Sequence, residues 1–167
     1  MTVLDADDDC SAYPTRIANS CIVKGNITFP SGSYFVPDGI QVGADNIEIN
    51  CNNAIMNGFA GKPGTGVTFE KRVGVNMYDC TVQNYVTGIN ITASQDITLT
   101  NINAVENNQR NSGSYGVALV FSNNNRIEDS NISGNGDTGI HLFSSHNNTL
   151  NSNIIHSNEN VAGIALF

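Results

Sequence analysis

The chain has 167 residues, 15 acidic against 7 basic side chains, a formal charge of −8 and no Trp. Its length suits a single domain, and the few Lys and Arg, scattered singly or in one pair, offer no basic stripe for phosphates, which argues against a nucleic-acid partner. Only 13% of residues are charged while 26 are Asn, so solubility rests on Asn, Ser, Thr and Gly, a composition that disfavours helix interiors beside Val, Ile and Thr that favour strands.

From the start, Met1 to Cys10 has neither a basic n-region nor an apolar h-region and does not read as a signal peptide. No apolar run approaches the roughly 18 residues of a membrane span. The chain is then either a processed secreted protein or a cytosolic one. Asp7, Asp8 and Asp9 are the candidates for a Ca²⁺ ion; with Asp5 they form an acidic run without the Gly turn and spaced ligands of an EF-hand loop, and a solvated tail is the plainer reading. Cys10 and Cys21 bracket a short polar stretch, a spacing that suits a disulfide-stapled loop, with free thiols as the alternative. Residues 1–38, with Tyr13, Phe29, Tyr34, Phe35, Pro30 and Pro37, read as an N-terminal tail and cap.

From residue 39 onward one phrase recurs: Gly, aliphatic, any residue, then an aliphatic or Phe. It begins at Gly39, Gly66, Gly88, Gly116, Gly139 and Gly163, spaced 27, 22, 28, 23 and 24 residues apart. A second strand signal follows each of the first five, at Ile47–Ile49, Val73–Val75, Ile97–Leu99, Arg126–Glu128 and Thr149–Asn151. A third apolar position comes near Ala54, Cys80, Ala104, Ile132 and Ile155, then a polar turn position at Asn57, Gln83, Asn107, Asn135 and Asn158. Cys51 and Cys80 lie within these patterned segments and read as buried free thiols. Three short strands per period of 22 to 28 residues describe the coil of a parallel β-helix over residues 39–167, all-β, with about five to six coils stacked about 4.8 Å apart. A turn column of Asn fits that fold, because Asn tolerates left-handed backbone and its amide both donates to and accepts from the Asn one coil away. A lone coil buries too little to fold, so only stacking makes the pattern stable. The phrase at Gly163 opens a sixth coil, and 167 residues read as a piece of a longer solenoid.

The blocks Gly139-Ile140-His141-Leu142-Phe143-Ser144-Ser145 and Asn50-Cys51-Asn52-Asn53-Ala54-Ile55-Met56-Asn57-Gly58 resemble the right-handed parallel β-helix repeats of the pectate-lyase-like class, as found in secreted archaeal and bacterial surface proteins and in carbohydrate-acting proteins. The resemblance covers residues 39–167 and implies a right-handed coil; it says little about chemistry, since such repeats record stacking.

A site on such a fold must be built from outward side chains in adjacent coils. The outward column of the first strand reads Gln41, Thr68, Asn90, Ala118, His141 and Ala165, and that of the second reads Glu48, Gly74, Thr98, Glu128 and Asn151. Glycoside hydrolysis needs two carboxylates about 5–9.5 Å apart, whereas lyases of this fold class are expected to use Ca²⁺ held by carboxylates and a basic proton acceptor. The catalytic candidates are Glu128, Asp129, Asp137 and His141, with Arg126 or Arg110 as the base. Against an enzyme, the chain lacks the paired-Asp, Gly-His-Gly and Arg-Ile-Lys motifs of polygalacturonases and the Asp-Pro-His-type motif of alginate epimerases. Sequons at Asn26, Asn90, Asn131 and Asn147 accord with secretion. The expectation is a secreted or cell-surface β-helix module, non-catalytic, acting as a rigid scaffold or as a surface that contacts polysaccharide. The alternatives are a polysaccharide lyase or glycoside hydrolase, and a structural protein that assembles end to end by strand addition.

Overall fold

A computed structural model describes residues 9–12, 16–59, 64–107, 113–159 and 162–167. Every Gly-led phrase becomes a strand, and the strands build a parallel β-solenoid of about six turns. The first turn holds β1 (Ile22–Val23), β2 (Ile27–Thr28) and β3 (Ser33–Phe35), and the second β4 (Ile40–Val42), β5 (Glu48–Asn50) and β6 (Ile55–Asn57). The third has β7 (Thr65–Glu70) and β8 (Asn76–Gln83), and the fourth β9 (Thr87–Thr92) and β10 (Thr98–Val105). The fifth comprises β11 (Tyr115–Val120), β12 (Arg126–Glu128) and β13 (Asn131–Ser133), the sixth β14 (Thr138–Phe143), β15 (Thr149–Asn151) and β16 (Ile154–His156), and β17 (Ala162–Leu166) opens a seventh. In β8 and β10 the second and third strands of a turn run together. The segment read as tail and cap thus contributes a turn of its own, paired in register to the next.

The first-strand sheet runs β1-β4-β7-β9-β11-β14-β17. Ile40, Val67, Ile89, Val117, Ile140 and Ile164 stand one above another in it, so the repeat phrase is the physical register. From Gly39 to Gly139 its glycines are required for space. A Cβ on Gly88 would lie 2.6 Å from the carbonyl oxygen of Gly116 and 2.7 Å from Nδ2 of Asn107; one on Gly116 would meet the oxygen of Gly139 and Nδ2 of Asn135, each at 2.7 Å. Gly and Asn recur together because the bare glycine backbone makes room for the asparagine amide.

Those asparagines point inward. Asn107 and Asn135 are fully buried, with Asn107 Nδ2 donating to Asn135 Oδ1 at 3.1 Å and Asn135 Nδ2 to Asn158 Oδ1 at 2.9 Å. The ladder also caps backbone groups: the amides of Tyr85, Asn107 and Asn135 donate to the Oδ1 of the asparagine one turn on, and each Nδ2 donates to a carbonyl, of Val82, Ala104 and Ile132 in turn. Parallel ladders line two other corners, Ser94–Ser122–Ser145 with Asn125–Asn148 at one and Ser130–Asn153 at the other. Asn57 and Gln83, which the sequence placed in the same column, instead lie on the outside, in register with Val105, Ser133 and His156. Left-handed corner backbone is a separate role, filled at Asn46, Asn53, Asn84, Asn101, Asn124 and Asn147 but also at Asp79, Ala93 and Phe121. One compositional excess thus serves two structural positions.

Two further expectations are corrected. The third inward column is Met56, Val82, Ala104, Ile132 and Ile155; Cys80 pairs with Ile102 instead, at a corner. Cys51 and Cys80 are not free: they form a disulfide with their Cα atoms 5.0 Å apart. Their segments look like strand interiors in sequence, but a corner brings the two sulfurs together across adjacent turns. The Cys10–Cys21 staple is present. The early turns thus carry disulfides and apolar corner residues such as Ile47, Val75 and Tyr85, and the later turns carry hydrogen-bonded ladders.

Candidate functional site

The outer face of the second-strand sheet shows two rows along the solenoid axis. One is Glu48, Asn76, Thr98, Arg126 and Thr149; beside it run Asn50, Tyr78, Thr100, Glu128 and Asn151. The spacing in sequence puts Glu48, Gly74 and Glu128 in a single column, with Val73–Val75 as the strand. In the structure Gly74 adopts φ +67° at the corner, the strand starts at Asn76, and Arg126, two residues before Glu128, shares the Glu48 row.

This register opens a shallow groove of about 450 Å³ lined by Glu48, Asn76, Tyr78, Asp79, Thr98 and Thr100, with Met77 beneath. Its origin is side-chain length. Tyr78 leans back one rung so that its hydroxyl donates to Glu48 Oε1, the next rung supplies only the short Thr98 and Thr100, and the rung after that rises again as Arg126 and Glu128. The hydrogen bond to Glu48, with some burial and the charges of Glu48 and Asp79, raises the Tyr78 pKa above the usual phenol value, so the ring keeps its proton. Asp79 Oδ1 accepts from Asn101 Nδ2 at 2.6 Å.

Arg126 and Glu128 meet in two parallel hydrogen bonds, Nε to Oε1 at 2.8 Å and Nη2 to Oε2 at 2.9 Å. Alternation along β12 puts both on one face, and the bond to Arg126 holds the Glu128 carboxyl below its usual range. Asp129 follows at an exposed corner with φ +50°. Glu48 and Glu128 are three rungs apart, roughly 14 Å along the axis at about 4.8 Å per rung, beyond the separation that glycoside hydrolysis uses. Arg110, Asp7 and Asp8 lie outside the described residues. Asp9 accepts from the Ser11 amide at 2.8 Å; burial opposes its ionisation, but hydrogen bonds from Ser11 and Lys24 and the Lys24 charge outweigh it and lower the pKa.

The remaining candidates stand on β14 of the first-strand sheet or in the bend just before it. His141 occupies the expected outward column between Ala118 and Ala165, with its ring stacked on Tyr115 at 4.4 Å and tilted against Phe167 at 5.2 Å. Burial pushes its pKa below the usual value against the opposing charge of Asp137. Asp137 is itself buried, and its Oδ2 accepts from the Gly113 amide at 2.7 Å. Exposed Phe121 and Phe143 make an edge-to-face pair nearby in the chain. The structure therefore does not unite the sequence candidates: Arg126 and Glu128 form one pair, and Asp137 and His141 belong to another face. Sequence reasoning missed Tyr78, whose signal was its place one residue after Met77, the true inward residue of β8.

Parallel strands, inward amide ladders and a groove-bearing outer sheet define a parallel β-helix protein. The chain belongs to the family described as periplasmic copper-binding protein (NosD), whose model matches residues 16–167, a family of right-handed parallel β-helices. No curated protein and no solved structure gives a significant match.

Proposed function

We propose that this chain is a non-catalytic β-helix module of the periplasm or cell surface, a rigid scaffold whose second-strand face contacts carbohydrate. The groove between Tyr78 and the Arg126–Glu128 pair carries this reading: it combines an aromatic ring with hydroxyl, amide and carboxylate groups on a backbone that stacking holds rigid, the mixture that recognises a sugar's apolar face and its hydroxyls. The compartment is supported by two disulfides, which persist in oxidising environments, and by the family description. Catalysis is less well supported, because Glu48 and Glu128 stand roughly 14 Å apart along the axis at about 4.8 Å per rung, beyond the separation hydrolysis uses, and Arg126 is engaged by Glu128.

The family description also names copper, and copper sites draw on imidazole, thiolate and thioether donors. Here the four cysteines are oxidised in pairs and Met56 and Met77 are fully buried in the core. His141, His146 and His156 sit on a first strand, a corner and a third strand. Among the described residues no three His, Cys, Asp or Glu side chains converge. The described donors do not fit a copper ion. Calorimetric titration with a panel of soluble oligosaccharides tests the carbohydrate role. Saturable binding that Tyr78→Ala abolishes is the expected result, and no heat from any glycan would overturn it.

A further inference from the structure

The groove has a definite electrostatic sign. Glu48 forms one wall, with Asp79 lining the groove beside the Tyr78 ring. The Tyr78 hydroxyl gives its proton to the Glu48 hydrogen bond and adds no positive charge. Among the described residues the cation nearest in register is Arg126, one rung beyond Thr98, and its Nε and Nη2 are taken by Glu128. A further carboxylate therefore stands beside the arginine, and the whole chain carries −8. A uronate carboxylate laid between Tyr78 and Arg126 would meet the Glu48 and Asp79 carboxylates before it met an unshared cation. A neutral sugar meets the same groups as acceptors for its hydroxyls, with Asn76, Thr98 and Thr100 supplying both donors and acceptors.

We propose that the groove takes a neutral glycan and rejects uronate polymers. This deepens the carbohydrate reading above and rests on it. It also departs from what the pectate-lyase-like repeats suggest, because those repeats record stacking whereas charge selectivity is set by the outward rows. The shape of the groove adds a direction. The tall rungs at Tyr78 and at Arg126–Glu128 flank the short rung of Thr98 and Thr100, so the trough runs along the strands, between rungs. A glycan segment would lie in it parallel to β10.

The test is calorimetric titration of the intact chain with cellohexaose, mannohexaose and hexagalacturonate at low and at high salt. The expected result is that a neutral hexaose binds about tenfold or more tighter than hexagalacturonate at low ionic strength, the size of effect that like charges in a partly screened groove produce. The gap should narrow as salt rises. The double variant Glu48→Gln, Asp79→Asn should close most of it by raising hexagalacturonate affinity; Asn suits the left-handed backbone at position 79 (φ +57°), so the fold is kept. Thr100→Trp should fill the trough and abolish binding. Hexagalacturonate binding as tightly as the neutral glycans would overturn the proposal and leave the carbohydrate role intact. So would binding that survives Thr100→Trp but falls in Phe143→Ala, which would move the glycan to the first-strand face. No binding of any of the three overturns both.

Discussion

Replacing Asn135 by alanine removes four hydrogen bonds from a fully buried ladder. Its Oδ1 accepts from both the backbone amide and Nδ2 of Asn107 at 3.1 Å, and its Nδ2 donates to Ala104 O at 3.1 Å and Asn158 Oδ1 at 2.9 Å. Not all partners are orphaned: Asn107 Nδ2 keeps Val82 O, and Asn158 Oδ1 keeps the amide of residue 135. The Asn107 amide loses its acceptor, at about 1–3 kcal/mol for an unsatisfied buried donor, and the other bonds contribute about 0.5–1.5 kcal/mol each. With the retained bonds limiting the damage, the expected loss is about 3–4 kcal/mol. The comparison that makes this decisive is Asn57→Ala. Asn57 accepts from Gln83 Nε2 at 2.6 Å and donates to Ser33 Oγ at 2.7 Å, but on the outside, where water replaces both, so about 0.5 kcal/mol is expected. Urea unfolding followed by far-ultraviolet circular dichroism gives both numbers from midpoint shifts at unchanged slope. Equal losses at positions 135 and 57 would refute the distinction between an inner ladder and an outer rung.

Gly116→Ala should cost about 3 kcal/mol, because a Cβ there meets Ile132, Asn135 and Gly139 within 2.7 Å and two of these contacts are to ladder or backbone atoms. Gly25→Ala, whose nearest neighbour would be 3.8 Å away, should be close to neutral in the same unfolding assay, and a neutral Gly116→Ala would contradict the packing account. Removing the Cys51–Cys80 link by double substitution to alanine should cost about 3.5 kcal/mol, as expected for a cross-link of sequence separation 29; a thiol reagent finding free sulfhydryls in the folded, unreduced protein would contradict the pairing. His141 should titrate below the usual histidine value by nuclear magnetic resonance, since burial disfavours its charged form. Its depressed folded pKa means that the unfolded chain protonates first. Stability is therefore lost as pH falls from about 6.5 toward the folded value. His141→Gln should flatten that slope, and a His141 titration above 6.5 would overturn the assignment.

How much was legible in the sequence follows from which positions answer to stacking. The first-strand phrase was readable because Gly, an inward aliphatic and a second inward residue recur wherever one coil lies on another, and its outward column from Gln41 to Ala165 stands as read. The second strand was misplaced in the third turn because Val73 and Val75 alternate like a strand while Gly74 turns a corner between them. That two-residue slip hid Tyr78, and a separate one in the fifth turn, where Glu128 stands two residues past Arg126, put Glu48 and Glu128 in one column. The Cys51–Cys80 bond was invisible for the same reason: the pairing depends on where the corner falls, and corner lengths differ from turn to turn.

The sequence by itself determined that this is a parallel β-helix, since a stacked coil can be stable only if each position is compatible with its counterpart one period away, and that constraint is written into every repeat. The tertiary structure alone decided which asparagines are buried and which outward residues become neighbours. Those facts depend on the backbone path through each corner, and the groove at Tyr78 exists only because a long side chain, a short rung and an ion pair fall on consecutive rungs.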